Sequence, residues 1–193
     1  MVSDWLRIQM KPLLGAAVGV LARFRVSPNF LTLVGFGFMV AIGLVLARGQ
    51  FVLGGLLIIL AGIFDALDGG LARATGQVTR FGAFLDSTLD RWAEAALYAG
   101  LLWYYSEQSA PVEVMLVYAT IIGSLLVSYT RARAEGLGLE LKEGWFTRFE
   151  RIALLVLALF VNQMLIGLVL LAFFSNLTAI QRILAVRTKL NQQ

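Results

Sequence analysis

The sequence predicts an all-α membrane protein: six transmembrane helices preceded by an N-terminal amphipathic helix lying in the membrane interface. Three observations predict it. Of 193 residues, 59% are hydrophobic and the mean hydropathy is +0.81, against roughly 45–50% apolar in a soluble domain. Apolar runs recur along the chain, most of them near the roughly 20 residues a span needs, and short polar, Gly or Pro breaks separate them. If six runs cross, only Arg48 of the 16 Lys and Arg residues falls on the outer side. The positive-inside rule then puts both termini on the cytoplasmic side of the cell membrane.

Each element has its own warrant. Residues 1–26 mix Trp5, Leu6, Ile8, Leu13 and Leu14 with Arg7, Lys11, Arg23 and Arg25, the pattern of a helix lying on a membrane. Asp4, Arg7 and Lys11 interrupt any apolar leader core, so no cleavable signal peptide is expected. Ser27-Pro28-Asn29 breaks that helix and starts the next. The predicted spans are 30–47, 51–71, 81–105, 112–131, a fifth beginning over 151–160, and 164–184. The fifth is short unless it starts before Arg151 and projects above the membrane. The 106–113 loop holds Glu107 and Glu113 and no basic residue, as suits an outer loop. One domain over 1–193 is expected, with a juxtamembrane helix over 1–26 and a bundle over 28–187.

Composition excludes several chemistries. With no Cys there is neither disulfide nor thiolate, and with no His the usual general base and zinc ligand are missing. Acid–base and metal chemistry fall to carboxylates. The net charge of +4 is not gathered in one block, so no nucleic-acid partner is expected.

Four carboxylates stand where they are expensive. Asp65 and Asp68 are three apart at the end of the second run, and Asp86 and Asp90 four apart near the start of the third. An ionisable group in a membrane segment is by default a functional one. Each pair shares a helix face, and a short turn makes the two helices antiparallel neighbours. Two facing pairs form an oxygen cage for a hard cation, Mg2+ or Mn2+, and two ions suit the charge better than one. Without them the carboxylates would repel and take up protons.

Gly69, Ala72 and Gly82 clear a flat space beside the acids for a planar group such as a nucleobase, while Arg73 and Arg80 can hold phosphate. The composite reads as a site for a metal-bound pyrophosphate. A helix pair packed through small residues, with aspartates paired to arginines, would give no reason for four acids.

These residues resemble the signature of the CDP-alcohol phosphotransferase family: Asp65, Asp68, Gly69, Ala72, Arg73, Gly82, Asp86 and Asp90 fill all eight positions at the family's spacing. The six-span layout extends the resemblance over essentially the whole chain. The resemblance implies transfer of a phosphatidyl-type group from a CDP-linked lipid to an alcohol, with release of CMP, by a homodimer whose site opens to the cytoplasm. It implies that the four aspartates hold divalent metal and that Asp90 is the general base. It implies nucleotide contacts at Gly69, Ala72, Arg73 and Gly82, with Thr79 and the segment containing Asn29 and Thr32 as further ones.

The acceptor must be chosen outside that motif. Arg131, Arg151 and Arg182 stand at helix ends. They could form a pocket for a second phosphate or face lipid phosphates as anchors, and charge alone does not separate the two. The wording TRFGAFLDSTLDR, SYTRARAEG and Arg148–Arg151 resembles the phosphatidylinositol-phosphate synthase branch. That resemblance implies inositol 1-phosphate as the phosphorylated polyol acceptor, held by Ser128, Arg131, Arg151 and Arg182, with Arg133 as an addition. A phosphatidylglycerophosphate synthase using glycerol 3-phosphate is the rival, since both acceptors carry phosphate. A divalent-cation transporter would use the acids as an ion path but needs no Gly-x-x-Ala-Arg between them. Glu94, one turn past Asp90, reads either as a contact for acceptor hydroxyls or as a bond to a neighbouring helix.

Overall fold

The computed structural model describes residues 15, 18–24, 26–141 and 143–191. The expected interfacial helix over 1–26 lies mostly outside the described residues; within them, 18–23 are helical. The main elements are six helices: α1 (Pro28–Ala47), α2 (Phe51–Thr75), α3 (Arg80–Glu107), α4 (Pro111–Glu135), α5 (Arg148–Val161) and α6 (Met164–Leu190). Among the described residues there is no strand.

The boundaries follow local chemistry. Pro28 and Pro111 open α1 and α4, where a proline's missing N–H costs nothing. Between α1 and α2, Gly49 adopts φ +73°, and a Cβ there would lie 2.6 Å from Tyr104 Cε2. Only glycine suits both demands. Past α2, Gly76 turns left-handed and the Gln77 N–H donates to the Ala72 carbonyl at 2.9 Å. The Thr79 hydroxyl caps α3 by accepting from the Gly82 N–H at 2.9 Å. The Thr147 N–H donates to the Glu150 carboxylate at 2.9 Å at the head of α5. Several helices outrun their predicted spans: α2 continues to Thr75, α4 to Glu135 and α6 to Leu190. Hydropathy marks only the stretch in lipid, whereas backbone hydrogen bonding carries on into the aqueous turns.

Among the described residues, four helices are long and apolar enough to cross a membrane: α1, α2, α4 and α6. The protein is therefore a membrane protein. The other two differ for visible reasons. The 28 residues of α3 include Asp86, Asp90, Arg91 and Glu94 within the first fifteen. The 14 residues of α5 extend about 21 Å, against a hydrocarbon core of about 30 Å.

The chain divides into two compact units, one of residues 1–41 and 57–94 and one of residues 42–56 and 95–193, so the division falls within α1, α2 and α3. In the first, Val18, Leu31 and Leu71 form a buried cluster with Leu21, Ala22, Val26 and Leu67 against it. Phe36 meets Trp92 edge-on at 6.4 Å, and Phe38 meets Phe64 at 6.0 Å. In the second, Ile42, Leu46, Leu97, Leu101, Leu155, Leu159, Leu168 and Leu171 are fully buried. Here α1 and α3 touch through backbone. A Cβ at Gly43 would lie 2.5 Å from the Ala96 carbonyl oxygen, and one at Gly100 would collide with the Gly43 carbonyl. α6 packs along α4 and α5, with Asn176 Nδ2 donating to the Ala119 carbonyl at 3.0 Å.

Candidate active site

The first unit carries the acids. Asp65 from α2 and Asp86 and Asp90 from α3 bring one carboxylate oxygen each to within 4.8 Å of one another. Three of the four predicted aspartates therefore converge. The fourth, Asp68, is buried beside them and otherwise engaged: the Thr32 hydroxyl donates to its Oδ2 at 2.8 Å and the Gly69 N–H to its Oδ1 at 2.5 Å. The Thr32 hydroxyl, expected to face nucleotide, is turned to Asp68 and also lies 3.1 Å from the Pro28 carbonyl.

The convergent set suits a hard divalent ion. Its donors are all oxygen, and ligands around one Mg2+ at about 2.1 Å lie within about 4.2 Å of one another. A cluster already within 4.8 Å needs little closure to reach that.

The predicted nucleotide contacts gather around the same helix ends. Asn29, Thr79 and Gly82 meet: a Cβ on Gly82 would lie 3.0 Å from Thr79 Oγ1 and 3.1 Å from Asn29 Oδ1. The Arg73 guanidinium folds back over Gly69, where a Cβ would lie 3.3 Å from its Nη1. Any side chain at either glycine would therefore crowd a polar group of the shelf. Ala72 is half-buried, and Arg73 and Arg80 are exposed. Glu94 is only 3% exposed, so it stands inside the unit's core rather than at an open surface.

The second unit carries the arginines. Arg151, at the head of α5, is 1% exposed, and Arg182, inside α6, is 4% exposed. Arg182 donates from Nε to the Glu143 carbonyl at 3.0 Å and from Nη1 to the Val127 carbonyl on α4. Arg151 Nη1 donates to the Phe146 carbonyl at 3.4 Å. Arg131 and Arg151 lie close enough that their charges act on Arg182, as do Glu135 and Glu143. Arg131 is exposed and paired with Glu135 at 2.9 Å. Ser128 is half-buried on α4 and Arg133 exposed.

Sequence reasoning missed the carbonyls that hold these arginines, those of Val127, Glu143 and Phe146. The one available signal was Gly144 beside Glu143 in the polar loop before α5. It also missed the Thr32–Asp68 bond, which joins residues 36 positions apart.

Clustered carboxylates on neighbouring helices, beside a shelf kept clear by glycine and rimmed by arginine, suit a membrane-embedded enzyme that works on a phosphate group with a divalent metal. The chain belongs to the CDP-alcohol phosphatidyltransferase family, whose model matches residues 25–186. It is 37% identical over 171 residues to the archaetidylinositol phosphate synthase of Pyrococcus horikoshii, covering 88% of each chain. It is 36% identical to the phosphatidylinositol phosphate synthase of Streptomyces avermitilis, over 97% of this chain and 83% of that one. The crystal structure of Mycobacterium tuberculosis phosphatidylinositol phosphate synthase with CDP-DAG bound superposes with a TM-score of 0.86 at 31% identity, covering 91% of this chain and 94% of that one. The same enzyme in complex with manganese and citrate also gives 0.86, at 32% identity, covering 91% and 89%.

Proposed function

We propose that this chain transfers the phosphatidyl-type group of a CDP-linked lipid, such as CDP-diacylglycerol, to inositol 1-phosphate and releases CMP. The observation that carries the reading is the convergence of Asp65, Asp86 and Asp90 within an eight-position family motif. Relatives named archaetidylinositol phosphate synthase and phosphatidylinositol phosphate synthase, matched over 88% and 83% of their own length, support the acceptor, and so do Arg131 and Arg151, both close enough to Arg182 for their charges to act on it.

In this reading Asp65, Asp68, Asp86 and Asp90 hold Mg2+ or Mn2+, two ions in all. Bound there, the metal supplies charge neutralisation to the donor pyrophosphate and the CMP leaving group. Thr32 keeps Asp68 aimed. Gly69, Ala72, Arg73, Thr79, Gly82 and Asn29 receive the nucleotide, Arg73 through its fork of donors. Asp90 takes the proton of the attacking acceptor hydroxyl; in a chain without histidine a carboxylate must serve. Ser128, Arg131, Arg151 and Arg182 hold the acceptor phosphate, with Arg133 at its edge.

The reading includes six crossings of the cell membrane, α3 and α5 among them, with the charged half of α3 at the cytoplasmic rim and both termini on the cytoplasmic side. It includes a homodimer. The basic residues of the predicted inner loops support the orientation. The absence of cysteine gives a clean test: Gln77→Cys is expected to label only from the cytoplasmic side and Gln108→Cys only from outside.

An acceptor panel tests the function. Purified protein given CDP-diacylglycerol and Mg2+ is expected to release CMP faster with inositol 1-phosphate than with glycerol 3-phosphate or free inositol. Faster release with glycerol 3-phosphate would replace the acceptor assignment, and metal flux without CMP release would replace the enzyme reading.

A further inference from the structure

The segment between α4 and α5 folds back onto α6 at several points. Leu139 and Leu141 bury with Ala134, against Ala185 and Val186. The Lys189 ammonium pairs with the Glu143 carboxylate at 2.8 Å and donates to the Glu140 carbonyl at 2.5 Å. About two turns earlier on α6, Arg182 Nε donates to the Glu143 carbonyl. Its Nη1 is held by α4 through Val127. The guanidinium is thus fixed between two backbone carbonyls, one on a helix and one on a loop, and both partners are neutral.

Gly144 makes the loop contact feasible. Its φ of +123° lies where side-chain-bearing residues are strained. A Cβ there would lie 2.8 Å from Arg182 Nε, 3.2 Å from Nη2 and 3.0 Å from Thr178 Cγ2. Gly138, in the same loop, also has positive φ (+77°), but a Cβ there meets nothing within 4 Å. The two glycines therefore separate loop conformation from contact with the arginine.

We infer that Gly144, secured by the Glu143–Lys189 pair, is a positioning residue that sets the direction of Arg182 toward the acceptor phosphate. The inference rests on the reading of Arg182 as an acceptor contact. It adds loop residues, outside the helices that carry the arginines, to the determinants of acceptor affinity.

Steady-state kinetics on the purified full chain test it, with the acceptor and donor KM measured separately. Gly144→Ala is expected to raise the inositol 1-phosphate KM about tenfold while the CDP-diacylglycerol KM stays within about twofold. Gly138→Ala is expected to leave both within about twofold. Lys189→Met, which loosens the loop without filling space, is expected to raise the acceptor KM about threefold, and it decides the matter if the Gly144 variant does not fold. Equal changes in the two glycine variants, parallel rises in both KM values, or no acceptor effect in either Gly144→Ala or Lys189→Met would overturn the inference. Arg182→Lys separates the two levels. If it leaves the acceptor KM unchanged, the reading of Arg182 falls. If it raises that KM and the loop variants do not, the positioning role alone falls.

Discussion

The aspartate half and the arginine half of the protein solve opposite problems. The acids are carried by neighbouring helices across a short turn, with Asp65 exposed and Asp90 half-buried. They converge with like charges facing one another, an arrangement that suits a divalent cation. The arginines come from α4, α5 and α6, and two are almost fully buried. Arg182 donates to two main-chain carbonyls and Arg151 to one. A guanidinium can be buried this way because its N–H groups find partners. One half therefore waits for positive charge and is assembled by helix spacing. The other offers positive charge and is assembled by tertiary contact.

That contrast sets an order of expected effects. The largest belongs to the acids. Asp90→Asn keeps shape but removes the proposed base, and CMP release is expected to fall about a thousandfold while CDP binding, followed by calorimetry, persists. Near-normal turnover would exclude Asp90 as base. Next comes the buried side of the arginine half. Arg151→Ala is expected to raise the acceptor KM by ten- to a hundredfold (about 1.4–2.8 kcal/mol) and leave donor KM nearly unchanged. A matching donor effect would mean that the variant has lost its fold instead. Thr32→Ala removes the bond that aims Asp68, and the metal concentration for half-maximal activity is expected to rise roughly tenfold. The smallest effect is at Glu135. Its pair with Arg131 is exposed, with side chains 57% and 51% accessible for Arg131 and Glu135, so Glu135→Gln is expected to change thermal stability by less than about 0.5 kcal/mol. A larger loss would show that Arg131 is held in place by Glu135 alone.

The same contrast explains what could be read from the chain. The acid cluster was legible because spacings of three and four on helices joined by a short link fix which side chains share a face. The helix ends were legible at Pro28, Pro111 and the glycine turns, where backbone geometry follows residue type. The caging of Arg182 was not: its partners are carbonyls, which every residue carries, reached from 39 and 55 positions away. Nor could spacing reveal that Asp68 would turn to Thr32, since that depends on how α1 meets α2. The short α5 was half-visible. Its apolar run was too brief for a full span, and the helix gained its extra turn from Thr147 and Glu150, polar residues outside the hydropathy signal.

The carbonyl bonds of Arg182 bear on how the enzyme should respond to acidity. A carbonyl has no proton to gain or lose near neutrality, and a guanidinium stays charged throughout the physiological range. The grip of the two carbonyls on Arg182 is therefore the same at pH 6 and pH 8. With no imidazole anywhere in the chain, the second ionisation of the acceptor's own phosphate is a source of any rise of turnover with pH that lies outside the protein. Acceptor KM and kcat measured across that range would tell substrate ionisation from protein ionisation without a single substitution.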